Sequence, residues 1–251
     1  MTLLNRCIIC SSPGISFLDK SSRESNICYK CNSTWRCRSV AMGVIYGLHL
    51  PWNPIKKQNV NWSINILGIG DDVNLSIALS QKYSYTNTHF DKYPKLDIRT
   101  PPVDLIDFCD IVICSDVLEH VDKNVELAIK GIYKILKPGG FAIISVPINT
   151  GIDKNLEYFP DLDTWEVSGN YIKWINTMGE TNFDNSPEWH GGRGQTLAFR
   201  QWSAKELVDD LTMAGFHDIE NVPYYPKLKV KYLKDSGIYI ARKPIEKSLE
   251  Y

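Results

Sequence analysis

Residues 110–121 read Asp110-Ile-Val-Ile-Cys-Ser-Asp116-Val-Leu-Glu119-His120-Val121, and residues 136–147 read Leu136-Lys-Pro-Gly-Gly140-Phe-Ala-Ile-Ile-Ser-Val-Pro147. Each contains a short apolar run, bounded by polar or turn-forming residues, of the kind that fills a strand buried on both faces. Between them Val125, Ala128, Ile129, Ile132, Ile135 and Leu136 recur at helical spacing. Pro138-Gly139-Gly140 is expected to stop that helix and turn the chain into the next strand. Strand, helix and strand in this order form one parallel crossover unit.

Working outward, the alternation continues. Strand-like runs lie at 63–67, 83–90, 109–114, 141–146, 216–222 and 237–241, with helix-like stretches between the earlier ones. This implies an α/β domain with a mainly parallel sheet and helices on both faces. Ser203-Ala-Lys-Glu206 has the capping-box pattern and predicts a helix running to Gly215. Residues 41–59, with Pro51 and Pro54, read as a helix and connector ahead of a domain spanning about 60–243, and 244–251 as a tail.

Two features place a ligand on the sheet. In Ile64-Asn-Ile-Leu-Gly68-Ile-Gly70-Asp-Asp72 a strand meets a glycine turn, which lets backbone approach a ligand at the strand's end. Asp91 closes the following β-like run, where a carboxylate can accept both hydroxyls of a ribose.

The N-terminal region has a different character. Cys7-Ile-Ile-Cys10 and Cys28-Tyr-Lys-Cys31 are two C-x2-C knuckles, a spacing that sets four thiolates around one tetrahedral zinc ion. The intervening stretch is too polar and turn-rich to form a core, so residues 1–40 are expected to depend on metal for their fold. Cys37, Cys109 and Cys114 have no matching partner, and the last two read as core. The module is locally basic, with Arg6, Lys20, Arg23, Lys30, Arg36 and Arg38 against Asp19 and Glu24. Arg36 and Arg38 either meet an anionic substrate group or dock the module onto the next domain.

Net charge is −1, so no global basic field favours nucleic acid or an anionic membrane. No apolar run spans a bilayer and no signal-peptide core follows the N-terminus, which predicts a cytoplasmic location. In that compartment cysteines act as thiols or metal ligands.

With Asp110–Val121 and Leu136–Pro147 taken together, the chain from about 60 to 243 resembles class I S-adenosylmethionine-dependent methyltransferases of the small-molecule type. More narrowly it resembles members with an N-terminal four-cysteine module, on Cys31-Asn-Ser-Thr-Trp-Arg36-Cys-Arg38. The resemblance implies a Rossmann-like seven-stranded sheet whose last strand is antiparallel. It implies that Gly68 and Gly70 line the methionine part of the cofactor, that Asp91 holds the ribose, and that Asp97 reaches the adenine amine. Ser115 and Asp116 would then lie near the methyl group. The family pattern has an acidic residue where Ile66 stands and a further glycine where Asp72 stands; Asp71 or Asp72 is the candidate to compensate.

The long stretch from about 148 to 202 reads as a substrate lid. Within it Trp189, His190, Arg193 and Arg200 are candidate substrate contacts, the arginines as clamps for an anionic group. His190, among glycines, is the candidate base, with His120 second and Asp116 and Glu119 as orienters. The expected reaction is methyl transfer to oxygen or nitrogen of a small molecule or saccharide, in surface-polysaccharide or secondary-metabolite biosynthesis by resemblance. The alternatives are an RNA methyltransferase gripping RNA through the zinc module, against which the near-neutral charge argues, and a binding protein that kept the fold without turnover.

Overall fold

The computed structural model describes residues 6–13, 26–169, 171–190, 196–222 and 237–245. Arg193, with Asp19, Lys20, Arg23 and Glu24 of the basic module, lies outside them.

The chain enters the domain through helix α1 (Trp35–Gly47), followed by β1 (Asn61–Ile69), α2 (Val73–Ser80), β2 (Tyr83–Thr88), β3 (Cys109–Ser115), α3 (Val125–Ile135) and β4 (Leu136–Ser145). A run of short strands follows: β5 (Leu156–Glu157), β6 (Leu162–Ser168), β7 (Tyr171–Asn176), β8 (Thr181–Asp184), β9 (Trp189–His190), β10 (Thr196–Leu197) and β11 (Arg200–Gln201). Helix α4 (Ala204–Met213), β12 (His217–Asn221) and β13 (Ile238–Arg242) complete it. The central sheet has the order β12-β13-β4-β3-β1-β2. Strands β2, β1, β3 and β4 run parallel, and β13 lies antiparallel to both β4 and β12.

Six strands form this sheet among the described residues, against the seven implied by resemblance. Residues 89–108, which lead from β2 to β3, carry Pro94, Pro101 and Pro102 and form turns and a single helical turn (Val103–Leu105). Proline cannot donate to a ladder, so no further strand extends beyond β2 there.

Alternation along the strands divides the core. Leu67, Val112, Ala142 and Ile144 face α3 and α4, while Ile66, Ile111, Ile143 and Ile240 face α1 and α2. Helix α3 ends at Ile135, and Leu136 already pairs with Cys109; Pro138-Gly139-Gly140 forms an irregularity inside β4 rather than the turn before it. Ser203 caps α4 as its sequence predicts, accepting from the Glu206 N–H at 3.0 Å.

The helix expected from residue 41 begins six residues earlier. Thr34 supplies the cap, its hydroxyl accepting from the Cys37 N–H, and lets the helix start inside the cysteine segment. Helix α1 is buried almost all round. Gly47 presses so closely on the Phe141 ring that a Cβ there would collide with it. On its other side stand the cysteine knuckles. Cys7, Ile9 and Cys28 belong to the same core as Ile111 and Ile143, and the N–H groups of Ile55 and Lys56 donate to the carbonyls of Ile8 and Ile9. The cysteine segment is therefore continuous with the sheet's α1 face.

The described residues between 148 and 202 form a second layer. Strands β6, β7 and β8 make an antiparallel sheet, and β9–β10 and β5–β11 make two short pairs. Phe159, Leu162, Ile172, Leu197 and Phe199 give this layer its own core. No helix among the described residues is long and apolar enough to cross a membrane.

Candidate functional site

A cavity of about 530 Å³ opens beyond the C-terminal ends of β1, β2 and β3, the edge at which parallel sheets hold ligands. Gly70, Asp91, Asp97, Asp116 and His120 all line it, so five residues proposed from sequence meet in one place. Phe90, Leu96 and Ile98 add apolar wall from the β2–β3 connection, and Trp165 and Phe199 cover it from the second layer. The volume suits a nucleoside-sized ligand.

The glycine turn works as two different devices. Gly70 has φ +67°, and a Cβ there would meet nothing within 4 Å, so its backbone faces open cavity. Gly68 is needed for another reason: a Cβ would strike the Asp71 carboxylate and the Tyr85 hydroxyl. It does not line the cavity. Asp71 is 7% exposed and accepts from the Tyr85 hydroxyl at 2.8 Å, while its Oδ1 has no hydrogen-bond partner. Burial pushes this carboxyl up to about 7. Ile66 is packed in the α1-side core, and Asp72 caps α2 by accepting from the Asn74 N–H. Asp72 is therefore a helix cap, and it is not among the residues that line the cavity.

Asp91 is exposed on the cavity rim, three residues past the end of β2. Asp97 is half-buried and engaged on both oxygens by Arg99, which also donates to Asp122 at 2.8 Å. The Arg99 guanidinium holds Asp97 below the ordinary carboxylate range. This Asp97–Arg99–Asp122 chain borders the cavity, and sequence reasoning identified only its first member.

At the tip of β3, Ser115 is buried and its hydroxyl lies 2.8 Å from that of Ser145, so it is a bracing group within the sheet. Asp116 adopts φ +57°, a left-handed conformation that costs a non-glycine residue energy and is concentrated at functional sites. The Ser145 hydroxyl donates to Asp116, and Arg36 Nε stands 3.2 Å from its other oxygen. Arg36 also donates to the Ser115 hydroxyl at 3.0 Å. Arg38 is buried and donates to the carbonyls of Asn26 and Ser33. Both arginines thus serve docking and folding of the cysteine segment.

Below Asp116, Glu119, His120 and His190 converge. His120 Nδ1 is 2.7 Å from the Leu197 carbonyl, and since a carbonyl only accepts, Nδ1 carries the proton. When both rings are neutral, His120 Nε2 accepts from His190 Nδ1 at 3.1 Å, which leaves the lone pair of His190 on Nε2. Glu119 is fully buried, with Oε1 3.6 Å from His190 Nδ1. The three are brought together by the turn after β3 and by β9 of the second layer.

Two proposed substrate contacts fall elsewhere. Arg200 is 5% exposed; its Nε pairs with Glu157 at 2.8 Å, and its Nη1 donates to the carbonyls of Leu118 and Val121. It pins the turn carrying Glu119 and His120 and is not among the residues that line the cavity. Trp189 pairs with Leu197 across β9–β10 and packs on the second layer's core. A basic residue and an aromatic in an inserted segment carry no sequence signal that separates these bracing roles from ligand contact.

The four knuckle cysteines cluster as their spacing predicts. Cys7 and Cys31 sulfurs are 3.7 Å apart and Cys10 and Cys28 sulfurs 3.6 Å. Four sulfurs set tetrahedrally about zinc at its usual bond length stand about 3.8 Å from one another. The shared hydrogen bond pulls the Cys7 thiol down to about 4 and pushes that of Cys31 up. The donor set fits zinc, and four thiolates leave no open position for chemistry.

Comparison with known proteins bears on the family and the fold. The family model described as "Methyltransferase domain" matches residues 62–221. No curated protein matches. Among solved structures, the CMeT domain of the citrinin polyketide synthase is 17% identical with a TM-score of 0.51, over 87% of this chain and 54% of that one. This chain thus spans about half the length of that domain's chain. An S-adenosylmethionine-dependent methyltransferase from Clostridium acetobutylicum ATCC 824 is 12% identical with a TM-score of 0.50, over 83% of this chain and 90% of that one. At such identities these likenesses speak for the fold, and the family model, which matches more than half of the chain, shows that the chain belongs to the methyltransferase domain family.

Proposed function

We propose that this protein transfers a methyl group from S-adenosylmethionine to an oxygen or nitrogen of a small molecule or saccharide. The observation that carries the reading is the cavity itself. Gly70 and Asp91 line it beyond the tips of β1 and β2, Asp97 from the β2–β3 connection and Asp116 at the tip of β3, and His120, backed by His190, lies beyond. A cofactor laid along the strand tips ends beside a histidine pair.

In this reading Asp91 holds the ribose hydroxyls and the open backbone at Gly70 lies along the methionine part. Ile98 and Leu96 offer apolar wall to the adenine. S-adenosylmethionine supplies, when bound, an electrophilic methyl on a positively charged sulfur. The protein's part is to align an acceptor with it, which supplies much of the rate. His190 Nε2 takes the acceptor's proton, and His120, fixed by the Leu197 carbonyl, sets the tautomer of His190. The apolar faces of Trp165 and Phe199 suit a ring-containing acceptor.

The cysteine cluster is proposed to hold one structural zinc ion, which orders the segment that positions α1 and Arg36. With Arg36 and Arg38 both engaged within the molecule, the basic groups open to RNA are fewer than the composition suggests.

Calorimetric titration with S-adenosylmethionine and S-adenosylhomocysteine tests the reading. Micromolar binding of both is expected, followed by transfer of labelled methyl to a member of an acceptor panel. Absence of binding to metal-replete, folded protein would refute it.

A further inference from the structure

Glu119, His120 and His190 come from two separate parts of the chain, yet their ligand atoms form a compact triangle. Glu119 Oε1 is 3.8 Å from His120 Nε2 and 3.6 Å from His190 Nδ1, and the two nitrogens are 3.1 Å apart. We infer that these three side chains form a binding site for one divalent transition-metal ion, separate from the cysteine cluster and bordering the cavity.

The size of the triangle is the first argument. An ion equidistant from the three atoms and lying in their plane would be about 2.0 Å from each, the bond length of zinc to imidazole nitrogen or carboxylate oxygen. Chemistry is the second. Two imidazoles and one carboxylate suit zinc, iron(II), cobalt(II) and nickel(II), and three protein ligands leave a coordination position for water or an acceptor atom. Orientation is the third. His120 donates from Nδ1 to the Leu197 carbonyl, which directs Nε2 inward and matches the outer hydrogen bond that metal-ligating histidines make. Glu119 is fully buried, and a carboxylate there interacts with a dication more strongly than one at the surface. Arg200 adds rigidity by holding the carbonyls of Leu118 and Val121 on either side of the pair.

The site stands independently of methyl transfer. It has one consequence for that reading. An ion on His190 Nδ1 would leave the imidazole proton on Nε2, so in metal-loaded protein the ion, and not that ring, would supply the acidity that readies an acceptor hydroxyl, while the base role belongs to metal-free protein.

The test is titration of metal-free full-length protein with Co²⁺ alone, followed by absorption spectroscopy and metal analysis. Cobalt on the cysteine cluster gives intense thiolate charge-transfer bands; cobalt on two imidazoles and a carboxylate gives visible bands without them. The expected result is a class of cobalt lacking thiolate bands, at about one equivalent per chain. His190→Ala, a change at a half-exposed lid residue, should remove that class and leave the thiolate bands unchanged. Glu119→Gln should weaken it at least tenfold. Only thiolate-bound cobalt in wild-type protein, or a second class that survives His190→Ala, would overturn the proposal. Neither readout requires cofactor or acceptor.

Discussion

Arg36 Nε lies 3.2 Å from Asp116 Oδ2 and joins the cysteine segment directly to the tip of β3. The same guanidinium donates to Ser115, so one residue of α1 bridges two positions at the cavity edge. Asp116 lines the cavity in a left-handed conformation that its neighbours must hold. Arg36→Ala should therefore weaken cofactor binding by about tenfold, or about 1.4 kcal/mol. The pair is partly exposed, so its loss should cost no more than about 1 kcal/mol of stability. Calorimetry beside a thermal melt separates the two effects, and unchanged affinity would show that the bridge serves docking alone.

The cysteine segment shares its core with β3, β4 and α1. Loss of zinc should accordingly reach the cavity through Arg36 instead of only loosening the N-terminus. Elemental analysis should find about one zinc per chain on sulfur ligands. Chelation should lower Tm and, in protein still folded by circular dichroism, reduce cofactor affinity. Chelated protein that binds cofactor as before would separate the two sites.

Asp91 is exposed on the rim and packs against nothing the core needs. Asp91→Ala should leave Tm within about 2 °C, as substitutions away from the core do. Cofactor affinity should drop at least tenfold if its carboxylate accepts the two ribose hydroxyls. Binding at wild-type strength would place the ribose elsewhere.

His190→Ala should lower transfer by about 10² to 10⁴ while changing cofactor affinity little, because the base acts on the acceptor. Single-turnover assays with a responsive acceptor measure the first quantity and calorimetry the second. Equal losses in both would mean that His190 shapes the pocket instead.

How far the sequence foretold this arrangement depends on the range of the interactions concerned. The unit from Asp110 to Pro147 is local, and its apolar periodicity states the strands and helix directly. The knuckle cysteines are legible because metal chemistry fixes their spacing. Gly70 and Asp91 follow from the edge at which a parallel sheet binds ligands. Arg200 reads in sequence as a clamp for an anion, whereas its partners in the fold, Glu157 and the carbonyls of Leu118 and Val121, are dictated by how the second layer folds back. Nothing in the flanking residues announces that. The antiparallel sheet β6-β7-β8 is likewise hidden within a stretch that reads as a lid, because exposed positions such as Val167 and Phe183 are apolar and blur the alternation. Arg36 left two roles open, since one guanidinium suits a phosphate or a carboxylate equally. Only the approach of α1 to β3 chose between them.

Asp71 gives a pH dependence whose sign can be worked out. Its carboxyl is pushed up to about 7 in the folded protein by burial, against an ordinary value near 3.8. The folded state therefore holds this proton more tightly than the unfolded chain. The contribution to stability is fully present below about pH 4. It declines as pH rises, because folding then requires a buried carboxylate, and it is lost once pH passes about 7. Asp71→Asn keeps an oxygen to accept from Tyr85 and abolishes the ionisation. The variant should gain on wild type progressively from pH 5 to about pH 7 and level off by pH 8, by about 2–4 °C in Tm for each kcal/mol recovered. Melts of both proteins across that range measure the gain, and a constant difference between them would mean that Asp71 stays charged throughout. If the cofactor's ammonium is what keeps Asp71 ionised in the working enzyme, saturating S-adenosylmethionine should flatten the wild-type dependence, whereas the variant should show no such change.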